Sequence, residues 1–237
     1  MLRADLHVHT CYSMDCSTPL SQIITRCLKV GINCVAIADH GTVVGALKLK
    51  ETAPFKVIIA EEILTPFGEL MGLFLTEGVP SGLSVEETIA RIRDQGGLVG
   101  IPHPFGRSFW QNSNKLTSKE IMSQVDIIEV FNSRTPFPIS STKAWKLVKE
   151  YGKAACAGSD AHTLGEIGKA YVEMPEFNGP DDFIKCLSQG KILGHRSNPI
   201  VHFASTWAKV RKRGGLHPHP DPLPSRERDN TERKDPC

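Results

Sequence analysis

DLHVHTCYSMD, residues 5 to 15, places two histidines and two aspartates within the first fifteen positions of the chain. Core strands avoid such groups unless they are paired or hold a metal. His7 and His9 are two apart. On an extended strand that spacing puts both rings on one side, where they can grip one ion. GSDAH repeats the device with Asp160 and His162, a hard oxygen beside an imidazole.

Working outward, short β-rich runs alternate with longer amphipathic ones. The runs are CVAIAD (34–39), FKVIIA (55–60), LMGLFL (70–75), LVGIP (98–102), DIIEVF (126–131) and KAACAGSD (153–160). Between them, PLSQIITRCLKVG (19–31) carries Pro19 at its start and Gly31 at its end, with Leu20, Ile23, Ile24, Cys27 and Leu28 on one face. SVEETIARIRDQGG (84–97) opens with Ser84 and Glu87 in capping-box spacing, and SSTKAWKLVKEYG (140–152) also closes on glycine. Flat apolar strands separated by helices predict parallel strands covered on both faces.

Polar, metal-capable residues stand where these runs stop: His7 and His9, Asp39 and His40, Glu61 and Glu62, His103, Glu129 to Arg134, and Asp160 with His162. In a closed parallel barrel the C-terminal strand ends converge on one face, and these scattered residues would meet there.

Composition bounds the rest. The chain has 237 residues, 40% of them hydrophobic, enough for one substantial core. Its 28 Lys and Arg nearly balance 26 Asp and Glu. Eight of the bases and five of the acids lie in 206–237, so the body is close to neutral and lacks the basic stripe a long nucleic acid demands. Seven cysteines without a C-x-x-C pair read as reduced thiols rather than a disulfide framework. No run of 18 apolar residues and no secretory pattern is present, so a cytoplasmic protein without a membrane segment is expected. We divide the chain into a domain over 1–205 and a basic, Pro-rich tail over 206–237. The tail buries too little to offset its ordering entropy and is expected to be disordered.

The provisional ligand set is His7, His9, Asp15, His40, Glu62, His103, Asp160 and His162. Mixed imidazole and carboxylate donors suit Zn, Mn or Fe, and eight are too many for one tetrahedral ion. Two or three divalent ions against three carboxylates leave a net positive pocket, which attracts an anionic substrate. Ions held roughly 3.5 to 4 Å apart can share a bridging hydroxide and clamp an in-line displacement at phosphorus. Arg107 and Arg134 are candidates for neutralising phosphate oxygens, a solvated surface role staying open for each.

DLHVHTCYSMD, IADHGT, IIAEEILT, GELMGLFL, IPHPFGR, EVFNSR and AGSDAH, in this order, resemble the polymerase and histidinol phosphatase (PHP) superfamily over about residues 1–205. The resemblance implies a distorted (β/α)7 barrel and hydrolysis of a phosphomonoester or short phosphodiester, small or nucleotide-like. It implies that His7, His9, Glu62 and Asp160 serve one metal, that Glu62 and His103 reach a second, and that Asp15, His40 and His162 hold a third. His7, His9, Glu62, His103 and Asp160 would then form the catalytic centre. Glu62 is preferred because the family's acidic ligand precedes the hydrophobic residue matching Ile63, with Glu61 as the other choice.

Two positions depart from the pattern. Met71 stands where many members have a ligand histidine, and Asn132 where some have another, so the site of Glu62 and His103 is expected to be short of protein ligands. Two other readings compete with the hydrolase. One is a barrel that keeps its metals for structural or partner-binding purposes. The other is an amidohydrolase, whose usual mid-barrel lysine is missing from these strand ends.

Overall fold

Local capping chemistry marks the bounds of two of the helices. The computed structural model of the chain describes residues 1–106, 113–198, 201 and 206–210. Helix α1 (Leu20–Val30) follows Pro19 and ends at Gly31, whose φ of 72° lets Ile32 N–H reach back to the Cys27 carbonyl. Helix α3 (Val85–Asp94) carries the expected capping box, with Ser84 Oγ accepting from Glu87 N and Glu87 accepting from Ser84 N. The remaining helices are α2 (Val44–Thr52), α4 (Ser113–Leu116), α5 (Lys119–Met122), α6 (Pro138–Tyr151) and α7 (Pro180–Ser188).

The strands are β1 (Leu2–Val8), β2 (Cys34–His40), β3 (Lys56–Thr65), β4 (Gly68–Leu73), β5 (Leu98–Ile101), β6 (Ile127–Asn132), β7 (Ala154–Gly158), β8 (Ala170–Met174) and β9 (Lys191–Gly194). They form one sheet in the order β7-β6-β5-β4-β3-β2-β1-β8-β9. The sheet curls into a nearly closed barrel, because β1 also meets the end of β7. Val8 bridges Ala161 in parallel, and His9 N–H donates to the Ala161 carbonyl at 3.0 Å. Gly158 permits this approach: a Cβ there would overlap His7.

β1–β2–β3 and β5–β6–β7 are parallel, as expected. The LMGLFL run breaks the all-parallel expectation. β4 is antiparallel to both β3 and β5, since only Pro66 and Phe67 separate it from β3, and so short a link can make a hairpin but not a crossover. β4 therefore enters the sheet at the end where its neighbours leave it.

Two apolar layers hold the sheet. Val35, Ile37, Val57, Ile59, Val99 and Ile128 pack outward against α1, α2, α3 and α5. Cys34, Ala36, Ala38, Ile58, Ala60, Leu73 and Ile127 point inward and are plugged by Phe183 and Leu187 of α7. Cys16, Cys27, Cys34, Cys156 and Cys186 are free and buried, whereas Cys11 is disulfide-bonded and departs from the expectation of reduced thiols. No described helix is long and apolar enough to cross a membrane.

Just past the boundary placed at 205, residues 206–210 are helical and Ala208 is buried. The remaining tail, 211–237, lies outside the described residues.

Candidate metal centre

Alternation along each strand selects which residues meet at the barrel mouth. On β2 the inward series Cys34, Ala36, Ala38 continues to His40, and on β3 Ile58 and Ala60 continue to Glu62. Asp39 and Glu61 therefore point the other way. Asp39 accepts from Thr10 N and Thr10 Oγ1, and Glu61 accepts from Val79 N at 2.8 Å. The choice between Glu61 and Glu62 is settled by this parity: Glu62 faces the mouth.

Glu62 is the hub. Its Oε1 lies 2.9 Å from His103 Nε2, and its Oε2 lies 3.3 Å from His7 Nε2, 3.5 Å from His9 Nε2 and 3.6 Å from His40 Nδ1. Asp160 Oδ1 sits 3.3 Å from His9 Nε2 and 3.4 Å from His162 Nδ1. Asp15 Oδ2 sits 3.0 Å from His162 Nε2 and 3.3 Å from His40 Nε2. All eight residues of the provisional ligand set are thus brought together. They fall into overlapping donor groups: His7, Glu62 and His103; His7, His9 and Asp160; His9, Asp15, His40 and His162.

The donor set fits divalent cations. His7 Nε2 and His9 Nε2 face one another at 3.2 Å, and two imidazoles so placed cannot both carry a proton there. The His9 ring is within 5 Å of the His40 and His162 ring centres, at 4.9 and 4.2 Å. Its Nδ1 is buried with no hydrogen-bond partner. Lone pairs crowded this way on neutral rings, among buried carboxylates, present the coordination shell of a metal ion.

Electrostatics in the metal-free chain say the same. Burial drives His9 down to about 3, and the neighbouring His162, His40 and His7 add to the shift. For His40 burial also opposes charge, but Glu62 and Asp15 outweigh it and raise the ring to about 10. His103 rises to about 9 because its bond to Glu62 overcomes its own burial. Glu62 and Asp160 are held well below the usual carboxylate range, burial being outweighed chiefly by His7. Protons on some of the rings supply the positive charge that metal ions would bring.

Backbone and outer contacts fix these side chains. His103 and Asp160 both adopt positive φ, 24° and 53°, a strained region that persists where the surroundings over-determine it. Glu129, read only as a polar strand end, proves to be a support. Its Oε1 lies 3.1 Å from His7 Nδ1 and its Oε2 accepts from His103 N at 2.7 Å. That bond leaves His7 Nε2 free to face the centre. Its inward parity on β6 was the available signal. Asn132 donates to Glu129 and to Asp160, bridging two carboxylates where a ligand was in doubt.

Met71 is buried among the apolar interior residues, paired across the sheet with Glu62. Because β4 runs antiparallel, the same-facing position nearer the mouth is Glu69, and its carboxylate joins His40 and Glu62 in a further donor group. The expected shortage of ligands is therefore eased by a residue that strand direction, not motif, brings in.

Arg134 does not stand ready for a phosphate. It is buried, with Nε 3.4 Å from Glu166 and with Nη1 and Nη2 donating toward the carbonyls of Asp160 and Val201. Glu166 in turn accepts from His162 N and Thr163 N, so the pair holds the Asp160–His162 loop from behind. Arg134, a phosphate candidate from the sequence, thus lies two residues past β6 with its guanidinium packed behind that loop. Arg107 lies outside the described residues.

Known proteins resemble both the sequence and the fold. The PHP domain model matches residues 5–66 and the PHP-associated model residues 138–192. The uncharacterized protein MJ0417 of Methanocaldococcus jannaschii is 38% identical over 186 residues, 76% of this chain and 75% of its own. A second uncharacterized protein of that organism, MJ1587, is 38% identical over 145 residues, covering 56% of this chain and 82% of that one. A two-domain protein from Bacteroides vulgatus, containing a predicted PHP-like metal-dependent phosphoesterase, superposes with a TM-score of 0.64 at 16% identity. That match covers 82% of this chain and 65% of the other. With sequence, barrel and donor cluster in agreement, the chain belongs to the PHP superfamily.

Proposed function

We propose that this protein hydrolyses a phosphomonoester or short phosphodiester of small or nucleotide-like character. The observation that carries the reading is the convergence of His7, His9, His40 and His103 on the two oxygens of Glu62, at 2.9 to 3.6 Å. A carboxylate so placed is a natural bridge between two cations. Mn, Zn or Fe(II) held there would supply Lewis acidity and an activated water for displacement at phosphorus.

The chain's own residues do the rest. Glu129 orients the His7 ring, and the Arg134–Glu166 pair holds Asp160 and His162 in place. A small cleft opens beside His103, lined by Phe105, Asn132, Thr135 and Ser140. The nearly neutral body favours a small substrate over a long nucleic acid. Among the described residues five buried thiols are free while Cys11 is disulfide-bonded, and the majority of reduced thiols supports a cytoplasmic location.

The test is protein stripped of metal, reloaded with Mn or Zn, and assayed on p-nitrophenyl phosphate, its bis-ester and a nucleotide panel. Hydrolysis that depends on metal and disappears in His9→Ala is expected. Stoichiometric metal without turnover of any phosphoester would overturn the reading in favour of a non-catalytic barrel.

A further inference from the structure

One donor group already has a cation against it. Lys209 Nζ lies 3.2 Å from Asp15 Oδ2, the oxygen that also faces His162 Nε2 at 3.0 Å and His40 Nε2 at 3.3 Å. The other Asp15 oxygen accepts from Ser13 Oγ at 2.7 Å. Asp15 is only 3% exposed, so its oxygens are taken up from within the protein.

The described chain ahead of this segment is tied to the body as far as Val201. After β9, His195 N donates to the Lys169 carbonyl, Ser197 N to the Ser133 carbonyl, and Arg196 Nε to the Thr135 carbonyl. Ser197 Oγ meets Ser133 Oγ at 3.0 Å, and Arg134 Nη2 donates to Val201 O. The chain is thereby sewn to the loop that follows β6. Residues 206–210 are then helical, with Ala208 buried and Lys209 turned to Asp15.

An ammonium group has three N–H donors and no lone pair, so it cannot be a metal ligand while charged. A divalent ion at about 2.0–2.2 Å from Asp15 Oδ2 would face the lysine's charge at near contact. Lys209, whose side chain is 44% exposed, and such an ion compete for the same oxygen. We propose that Lys209 occupies the Asp15 cation position, so that the protein holds two divalent ions and the third positive charge is its own ammonium. The inference rests on the metal-centre reading above and deepens it. A monovalent group there offers hydrogen bonds and charge to phosphoryl oxygens of a substrate rather than Lewis acidity.

Metal content of the full chain, saturated with Mn and freed of excess, tests this directly. Two ions per chain are expected in the wild type and in Lys209→Arg, and three in Lys209→Ala and in Lys209→Met, which keeps the apolar stem should alanine impair folding. By titration calorimetry the added site should bind at least roughly tenfold tighter than any third site in the wild type, and Asp15→Asn combined with Lys209→Ala should abolish it. A wild type that takes three ions as tightly as Lys209→Ala overturns the proposal. So does a Lys209→Arg chain that takes three. Stoichiometry is read without turnover: lysine-dependent binding with no hydrolysis sinks the hydrolase reading alone, and hydrolysis with lysine-independent binding sinks this proposal alone.

Discussion

The two ends of the barrel interior use the same strands and the same faces for opposite ends. Toward the N-terminal ends, Cys34, Ala36, Ala38 and Ala60 line a tapering space closed by Phe183, whose ring meets Phe74 and Phe177 edge to face at 5.2 and 4.9 Å. One or two steps further along, the same-facing positions become His40, Glu62, Glu129 and Asp160, buried charges with few apolar neighbours. The first end lowers free energy by removing surface from water. The second raises it, since crowded ionisable groups are costly to bury unless cations join them. Stability and chemistry are thus separated along the strand, not across the sheet.

The sharpest way to break that contrast is a pair of substitutions. Phe183→Ala should cost about 3–5 kcal/mol of stability, measured by denaturant unfolding of the metal-free protein, while metal stoichiometry stays at the wild-type value. Glu62→Gln should do the reverse for function: both metal binding and phosphoester hydrolysis are lost, while the metal-free protein stays folded with a lower melting temperature, because His40 and His103 lose the carboxylate that favours their charged forms. If Phe183→Ala empties the metal centre, or Glu62→Gln unfolds the chain, the two ends are not separable.

A second, intermediate effect concerns pH. His40 and His103 are raised to about 10 and about 9 from an ordinary 6.5. A raised histidine contributes stability that is complete below 6.5 and disappears as pH climbs through the raised value. The metal-free protein should therefore lose stability between about pH 6.5 and 10, and the metal-loaded protein should not. Metal uptake at neutral pH should release protons, visible as a dependence of calorimetric heats on buffer ionisation. Heats that are the same in all buffers would contradict the protonated state of the empty mouth.

The smallest effect is expected at Glu61, adjacent to Glu62 but on the opposite face. Burial lifts its carboxyl to about 7, so a neutral amide is a fair substitute. Glu61→Gln should change stability by less than about 1 kcal/mol and leave metal content intact. A lost ion would show that strand parity does not separate the neighbours.

Much of the centre was legible because its ligands carry their own signal. Paired residues two apart, His7 with His9 and Asp160 with His162, advertise a strand end whose side chains share a direction. Glu69 and Lys209 carry none, since a single acid or base has no spacing to mark it, and Glu129 carries only its parity on β6; each acquires its role from its neighbours. Arg134 shows the converse, since an arginine beside a motif looks available until the fold buries it against Glu166.

The sequence alone determined the alternation of strands and helices, the ends of α1, the capping box that starts α3 and the glycine that stops α6, and most of the clustered donors, because period, capping and residue chemistry are local properties. Tertiary structure decided the antiparallel turn of β4 that brings in Glu69, the inward facing of Glu62 over Glu61, and the return of the chain that sets Lys209 on Asp15. Those depend on strand direction, on barrel closure between β1 and β7, and on contacts between residues nearly two hundred positions apart, which no local pattern encodes.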